Sequence, residues 1–147
     1  MQVREVMTKN PVTLEASARV LDAALAMREH NIGDVVVRKD GRLCGILTDR
    51  DIALRVVGEG LDPKATKVDA ICSHEVTTIA PSQSTSDAVR LMRKGAIRRL
   101  PVVENSKILG IVSLGDLAQA LDRESALGEI SAARPNNEDQ EQKRYDA

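Results

Sequence analysis

Two short segments of the sequence place a hydroxyl residue and an aspartate three positions apart, directly after an aliphatic run. The pairs are Thr48 with Asp51 and Ser113 with Asp116. At the start of a helix such a pair forms a capping box, in which each side chain bonds the backbone N–H of the other residue. At the mouth of a cleft the same carboxylate would accept both hydrogen bonds of a ribose cis-diol, while the helix N-terminus favours a phosphate. The residues alone leave both interpretations open.

Each segment begins with a glycine, Gly45 in the first and Gly110 in the second. Glycine has no Cβ, so a neighbouring group can approach its backbone closely. We expect that group to be a ligand. Because two such turns occur at the same phase of a repeat, both are candidate binding sites.

The two segments are parts of an internal repeat with a spacing of 65 residues. Residues 3–53 align without gaps on residues 68–118, and the identical pairs include Thr13 with Thr78. An open solenoid needs about three or more units to bury a continuous core, so two copies argue against that architecture. We therefore expect two similar lobes that pack face to face around a pseudo-twofold axis.

Hydrophobic periodicity predicts the order β-α-β-β-α in each repeat. In the first copy the strands are expected at 12–14, 35–37 and 43–47, and the helices at about 18–29 and 49–57. The predicted fold class is therefore α/β (α+β), with two tandem units of three short strands and two helices. Because each unit is small for an independent core, we expect the two units to fold as a pair.

The domain prediction is a first repeat at 1–57, a linker at 58–67, a second repeat at 68–123 and a tail at 124–147. Glycine and proline punctuate the linker, as is typical of a connection between structured units. The tail lacks apolar periodicity, and we expect it to be disordered.

Composition excludes several classes of function. The 147 residues carry a net charge of −1, without the basic excess that phosphate neutralisation requires, and include no Trp, no Phe and one tyrosine, Tyr145. Aromatic base-stacking platforms are therefore not expected, nor is nucleic acid as the primary partner. No apolar run approaches the ~20 residues that span a bilayer, and no signal peptide is recognised, so we expect a cytoplasmic protein without a membrane partner.

The two cysteines, Cys44 and Cys72, fit neither a disulfide framework nor a C-x-x-C metal motif, and the histidines, His30 and His74, have no ligand spacing with them. We expect reduced, mostly buried thiols, histidines at the surface or at helix ends, and no metal site. The sequence has no acid/base pair with a nucleophile and no Walker or dinucleotide glycine motif. Catalytic residues and an enzymatic function are therefore not expected.

Six segments resemble the family of tandem CBS domains, named after cystathionine β-synthase, and the resemblance covers about residues 3–121. They are residues 6–8, 10–13, 32–37 and 45–51 in the first half and residues 97–103 and 110–116 in the second. Within the family the chain is similar to the small stand-alone bacterial proteins made of a single CBS pair, including the actinobacterial hypoxic-response type.

The resemblance implies a regulatory sensor module that binds an adenosine-containing ligand, such as AMP, ADP, ATP or S-adenosylmethionine, in clefts between the two repeats. It implies no obligatory cofactor, and a regulated protein of unknown identity as partner. The ribose contacts carry over to Thr48 and Asp51 and to Ser113 and Asp116. The other ligand-binding residues that the resemblance implies are Thr13, Thr78, Gly33, Asp34, Val35, Val36, Arg98, Arg99, Leu100 and Pro101.

Two features of the sequence bear on this binding site. The proline that ends a strand in the family is Pro101 in the second copy but Val36 in the first. Arg98 and Arg99 are candidate phosphate partners, but adjacent strand residues point to opposite sides, so at most one is expected to face a given cleft.

The alternative function is a structural or interaction dimer that keeps the fold and has lost nucleotide binding.

Family members form dimers, and we expect a homodimer that pairs the helices at 49–57 and 114–121 with those of a second copy. The residues expected to form this face are Ile52, Val56, Leu117 and Leu121.

Overall fold

Two three-stranded sheets and their helices make up residues 1–133, the part of the chain that this computed structural model describes. The elements are β1 (Thr8–Lys9), β2 (Thr13–Glu15), α1 (Val20–His30), β3 (Asp34–Lys39), β4 (Arg42–Thr48), α2 (Asp49–Ile52), α3 (Thr85–Gly95), β5 (Arg99–Glu104), β6 (Lys107–Ser113), α4 (Leu114–Leu121) and α5 (Ala126–Ala132). A π-helical stretch, Ala53–Val57, continues α2, and single 3-10 turns occur at Val3–Glu5 and Val68–Ala70.

The mixed α+β class is confirmed, and the first repeat has the predicted element order in full. In this repeat β2 pairs in parallel with β3 and β3 pairs antiparallel with β4. The parallel pair needs a crossover connection, which α1 provides. In the second repeat the first predicted strand is reduced to one parallel bridge between Ile79 and Val102.

The first residues of each repeat pair with the sheet of the other repeat. We call residues 3–9 and 68–74 the leading segments. In the first of them Thr8 pairs with Ile111, which makes β1 the outer strand of the order β1-β6-β5. In the second, Ser73 forms the equivalent bridge with Ile46 of β4.

The two hydrophobic cores depend on the same exchange. Val68, Ile71 and Cys72 of the second leading segment lie in the core of the first repeat. Val3 of the first leading segment is fully buried in the core of the second repeat. Each repeat therefore contributes apolar side chains to the core of the other, which is a physical reason for the two to fold as one unit.

The group that approaches Gly45 and Gly110 closely is the backbone of a leading segment and not a ligand, so the expectation of a ligand there is wrong. A Cβ on Gly45 would lie 2.5 Å from the carbonyl oxygen of Ser73, and a Cβ on Gly110 would lie 2.5 Å from that of Thr8. Both glycines sit where a leading segment crosses the neighbouring strand. Their missing side chains make the crossing possible.

The prediction of disorder from residue 124 onward is wrong for its first part, because residues 126–132 form α5. Ser125 caps this helix, and the Cα of Gly128 packs directly against the carbonyl oxygen of Asp122. The apolar residues Leu127 and Ile130 of α5 remain exposed. The helix therefore has no buried apolar face, and its sequence lacks the hydrophobic periodicity from which a helix is predicted. Residues 134–147 of the predicted tail lie outside the described part.

The predicted dimer face is also different in the structure. Val56 and Leu117 are buried in the cores of their own chain, and Ile52 packs against the first core. Of the four expected residues only Leu121 is an exposed large apolar residue, with 52% of its surface accessible. Leu54 and Val57, in the π-helical continuation of α2, are 56% and 72% exposed. Among residues 1–133, no helix combines the length and apolar character that crossing a membrane requires.

We expect Gly110→Ala to lower the free energy of unfolding by about 1–3 kcal/mol, because the new methyl group would overlap the backbone of Thr8. Urea unfolding measures the change. Gly95→Ala is the matched control, since its Cβ would meet only the Ile97 side chain at ordinary contact distance. That variant should be neutral or more stable by up to ~1 kcal/mol. Equal losses in both variants would contradict the crossing as the cause.

Candidate functional site

Both predicted hydroxyl–aspartate pairs form capping boxes. The backbone N–H of Asp51 donates to Thr48 Oγ1 at 3.1 Å, and that of Thr48 donates to Asp51 Oδ2 at 2.9 Å. Ser113 and Asp116 repeat this geometry with the same two distances. The capping interpretation is therefore confirmed for both segments, and each box uses one carboxylate oxygen, Oδ2.

A third capping box shows that this geometry is not by itself a binding site. Ser84 and Asp87 form it at the start of α3, with distances of 3.0 and 3.3 Å. There the remaining carboxylate oxygen bonds Arg90 at 2.7 Å. Binding must therefore come from what surrounds a box.

The box of Ser113 and Asp116 opens onto a cleft of about 440 Å³. This volume lies within the range of about 300–1,000 Å³ that is usual for small-molecule sites. The residues that line the cleft are Arg98, Arg99, Ser113, Leu114, Gly115, Asp116, Gln119 and Ser131. Four of the predicted ligand-binding residues are thus brought together: Ser113, Asp116, Arg98 and Arg99.

The ends of four elements make this cleft. β6 ends at Ser113, α4 begins at once, and the backbone N–H of Leu114 donates to the carbonyl of Arg98 at 2.8 Å just before β5. α5 adds the remaining wall, because Gln119 Nε2 donates to the carbonyl of Ser131 at 2.9 Å. Sequence reasoning did not include either residue. It missed Ser131 because it expected no structure in the tail, and it placed Gln119 on a predicted helix without a role at the site.

Both arginines line the cleft, although at most one was expected to do so. The expectation assumed that Arg98 and Arg99 alternate on one strand. β5 begins only at Arg99, and Arg98 lies in the bend before it, where strand alternation does not apply. The cleft is therefore lined by two arginines and by Asp116.

Asp34 of the first repeat contacts one of the arginines that line this cleft, although it does not line the cleft itself. Its Oδ2 lies 3.4 Å from Arg99 Nε, and the aspartate side chain is only 14% exposed. This contact is an ion pair without a hydrogen bond. Asp34 Oδ2 is buried, and among residues 1–133 it has no hydrogen-bond partner. Burial raises the pKa of Asp34; the Arg99 charge opposes this shift and the Asp49 charge adds to it.

The equivalent position in the first repeat has the opposite charge. Gly33 and Asp34 stand where the second repeat has Arg98 and Arg99, and Asp49 stands where it has Leu114. The Asp49 carboxylate lies against Gly33, 3.0 Å from where a Cβ would be. Thr48 and Asp51 line neither the 440 Å³ cleft nor a smaller one beside Asp116. The first box therefore has an aspartate, Asp49, where the second has Leu114, and its Asp51 Oδ1 lies 3.9 Å from Arg55 Nε.

The remaining predicted site residues are largely structural. Val35, Val36 and Leu100 are fully buried in their strands, and Pro101 is also buried. Thr13 pairs with Val36 in the first sheet, while Thr78 is exposed. The side chains of the buried four are therefore closed to a ligand in this conformation.

A second group of chemically capable residues lies where the second leading segment crosses β4. Cys44 Sγ is 3.5 Å from Asp69 Oδ1 and 3.7 Å from His74 Nδ1, and Cys72 Sγ is 3.7 Å from His74 Nε2. Both thiols are free, as expected. Burial raises the pKa of Cys44 and raises that of Cys72 to about 11, so both are protonated at neutral pH.

The sequence did not predict this grouping. The residues come from β4 and from a segment beyond the linker, and only the exchanged pairing brings them together. The one local signal was the short spacing between Cys72 and His74. His74 is exposed, as expected, but it contacts both thiols and Asp69.

Comparison with known proteins gives matches over both repeats. The sequence model of the CBS domain matches residues 3–58 and again residues 68–123. The CBS domain-containing protein YhcV of Bacillus subtilis is 42% identical over 125 residues, which cover 84% of this chain and 89% of that protein.

Solved structures agree with this match. Hypoxic response protein I, crystallised with two coordinated zinc ions, is 30% identical with a TM-score of 0.76, over 82% of this chain and 99% of that one. The CBS domain pair of protein MJ0100, solved with 5′-methylthioadenosine and S-adenosyl-L-methionine, has a TM-score of 0.76 over 85% of this chain and 98% of that one. At 24% identity the latter shows a shared fold alone.

We expect Asp34→Asn to stabilise the protein at pH 7, because it removes a charge whose burial raises the pKa of Asp34 in the folded state. A carboxyl with a raised folded-state pKa contributes stability when protonated and loses that contribution as pH rises through this pKa. The gain of the variant should therefore shrink as pH falls toward about 4, the ordinary range of an aspartate. Urea unfolding at several pH values measures it.

Glu104→Gln, on the exposed end of β5, is the control for losing one negative charge. It should leave the free energy of unfolding nearly unchanged at both ends of the pH range. A less stable Asp34→Asn variant at pH 7 would mean that the attraction to Arg99 outweighs the cost of burial.

Proposed function

This chain belongs to the CBS domain family, with one copy in each repeat, and we propose that it is a regulatory module that binds an adenosine-containing nucleotide in the cleft of the second repeat. CBS domain pairs are regulatory modules, and no catalytic family is indicated for this chain. The observation that carries the proposal is the meeting of Asp116 with Arg98 and Arg99 around one cleft.

The carboxylate of Asp116 suits a ribose. Its Oδ2 accepts the backbone N–H of Ser113, which fixes the side chain at the cleft. Among the described contacts, Oδ1 is left for a ligand, and a carboxylate accepts hydrogen bonds from both hydroxyls of a cis-diol. The capping box thus orients the group that would bind the sugar.

The arginines of the cleft suit a phosphate. Arg98 and Arg99 both line it, and a guanidinium group matches phosphate oxygens in pairs. α4 begins at Leu114 beside them, and its N-terminus carries a partial positive charge. Leu114, 39% exposed, offers the aliphatic surface on which a base would rest, since the described residues include no Phe, Trp or Tyr.

The charges discriminate among the expected ligands. AMP, ADP and ATP bring phosphates to the two arginines, whereas the sulfonium of S-adenosylmethionine is positively charged. We therefore place a phosphorylated adenosine ahead of S-adenosylmethionine at this cleft. The counterpart beside Asp51 has no equivalent of Arg98 and Arg99, and Asp51 Oδ1 already lies 3.9 Å from Arg55 Nε, so we place the primary site in the second repeat.

The alternative is an interaction module without a nucleotide. It is favoured by one observation, that capping alone accounts for the positions of Thr48, Asp51, Ser113 and Asp116. A titration with adenine nucleotides decides between the two functions.

We expect isothermal titration calorimetry with AMP and ATP to give heat of binding that Asp116→Ala abolishes. The substitution should also cost about 0.5–2 kcal/mol of stability, because it removes half of a capping box. Asp87→Ala is the matched control, since it breaks the equivalent box at the start of α3, outside the cleft. It should cost similar stability and keep affinity.

Loss of binding in both variants would attribute the effect to capping rather than to ribose contact. Absence of heat with AMP, ADP, ATP and S-adenosylmethionine in the unchanged protein would support the interaction module.

We further propose that the protein is a cytoplasmic homodimer that signals to a partner protein. Leu54, Val57 and Leu121 are large apolar residues that the two repeats leave exposed on α2 with its π-helical continuation and on α4. Burying each would contribute about 1.5–3 kcal/mol, which favours a second copy that covers them. Two free cysteines are typical of a reducing compartment.

Light scattering coupled to size exclusion should report a dimer, and the double variant Leu54→Gln with Val57→Gln should shift it to a monomer. Leu25→Gln, on the exposed side of α1, is the control for losing one exposed leucine. A monomer in the unchanged protein at micromolar concentration would contradict the dimer.

A further inference from the structure

The thiol, imidazole and carboxylate groups at the second crossing converge on one point. Ligand atoms of Cys44, Asp69 and His74 can be chosen that all lie within 4.8 Å of one another. We propose that Cys44, Asp69 and His74 form a binding site for Zn²⁺ or a similar borderline divalent cation. The inference is separate from the nucleotide cleft, because none of these residues lines it.

Two of the three ligand separations fit a tetrahedral ion. Bonds of about 2.3 Å to sulfur and about 2.0–2.2 Å to nitrogen or oxygen place neighbouring ligand atoms about 3.3–3.8 Å apart. Cys44 Sγ lies 3.5 Å from Asp69 Oδ1 and 3.7 Å from His74 Nδ1. Asp69 Oδ1 lies 3.6 Å from the other ring nitrogen, His74 Nε2, and the three ligand atoms lie within 4.8 Å of one another, so an ion would enter with side-chain adjustments.

The histidine is oriented for this role by its other nitrogen. His74 Nε2 lies 2.9 Å from the backbone carbonyl of Asp69, to which it would donate a hydrogen bond. That bond fixes the ring and leaves Nδ1 unprotonated toward Cys44, as is typical of metal-binding histidines. The imidazole is 53% exposed, which provides a route from solvent. Three protein ligands leave a fourth position for water.

The other crossing provides an internal control. The first leading segment crosses β6 in the same register, with Thr8 opposite Ile111 where the crossing that holds the proposed site has Ser73 opposite Ile46. The positions equivalent to Cys44, Asp69 and His74 are occupied there by Leu109, Arg4 and Lys9. The crossing forms without any of the three groups, so their convergence at one crossing is not required by the fold.

Cys72 lies next to the site but outside the three-residue set. Its Sγ contacts His74 Nε2, on the side of the ring away from Nδ1. The equivalent position in the other repeat is Met7. Cys72→Met should therefore keep the fold and the metal site, while it removes any disulfide between Cys72 and Cys44.

Reduced protein treated with a chelator and then titrated with Zn²⁺ should bind one ion per chain. Co²⁺ is the spectroscopic probe, because a tetrahedral cobalt–thiolate site gives intense visible bands and a charge-transfer band that an octahedral oxygen site lacks. In the Cys72→Met background, adding Cys44→Leu or His74→Lys should weaken Zn²⁺ binding at least about 100-fold, more than loss of an outer-shell partner does.

The control is His30→Lys, which removes the other histidine, at the exposed end of α1. It should bind Zn²⁺ as the unchanged chain does, and urea unfolding should show all variants folded. The proposal is overturned if the reduced protein takes up no zinc and gives no cobalt–thiolate bands. It is also overturned if Cys44→Leu and His74→Lys leave affinity unchanged, or if Cys72→Met alone abolishes binding.

Discussion

The close backbone crossing between each leading segment and the opposite repeat is the constraint on which the structure depends. Gly45 and Gly110 make it possible, because any side chain there would overlap the carbonyl of Ser73 or Thr8. The crossing carries Val3 and Val68 into the cores of the opposite repeats, where both are fully buried. It also fixes the relative placement of the two sheets, and hence the approach of Asp34 to Arg99 across the repeats.

The symmetric frame carries two different sets of chemical groups. The ends of the central strands bear Arg98 and Arg99 in one repeat and Gly33 and Asp34 in the other. The crossings differ in the same way, since sulfur, imidazole and carboxylate groups cluster at only one of them. Backbone geometry is shared because the cores require it, whereas exposed positions around it are free to differ. Pseudo-symmetry of the fold therefore does not imply symmetry of binding.

The parts of this architecture that local sequence determines were predictable. Capping at Thr48 and Ser113 follows from residue type and spacing, and the strand–helix order follows from periodicity. The exchange of leading segments was not predictable, because the pairing of Thr8 with Ile111 spans most of the chain and leaves no local pattern. The role of Gly45 and the grouping of Cys44 with His74 depend on that exchange. α5 was missed because its apolar residues stay exposed.

The exchange has a consequence for how such a chain can arise. A single repeat leaves its sheet without its outer strand, and a free copy could complete the sheet only by swapping that segment with a second molecule. Joining two copies by residues 58–67 makes the swap intramolecular, at an effective concentration that a short linker sets in the millimolar range. Gene duplication would thus convert a concentration-dependent assembly into one that forms at any dilution, and only then could the two halves diverge in what they bind.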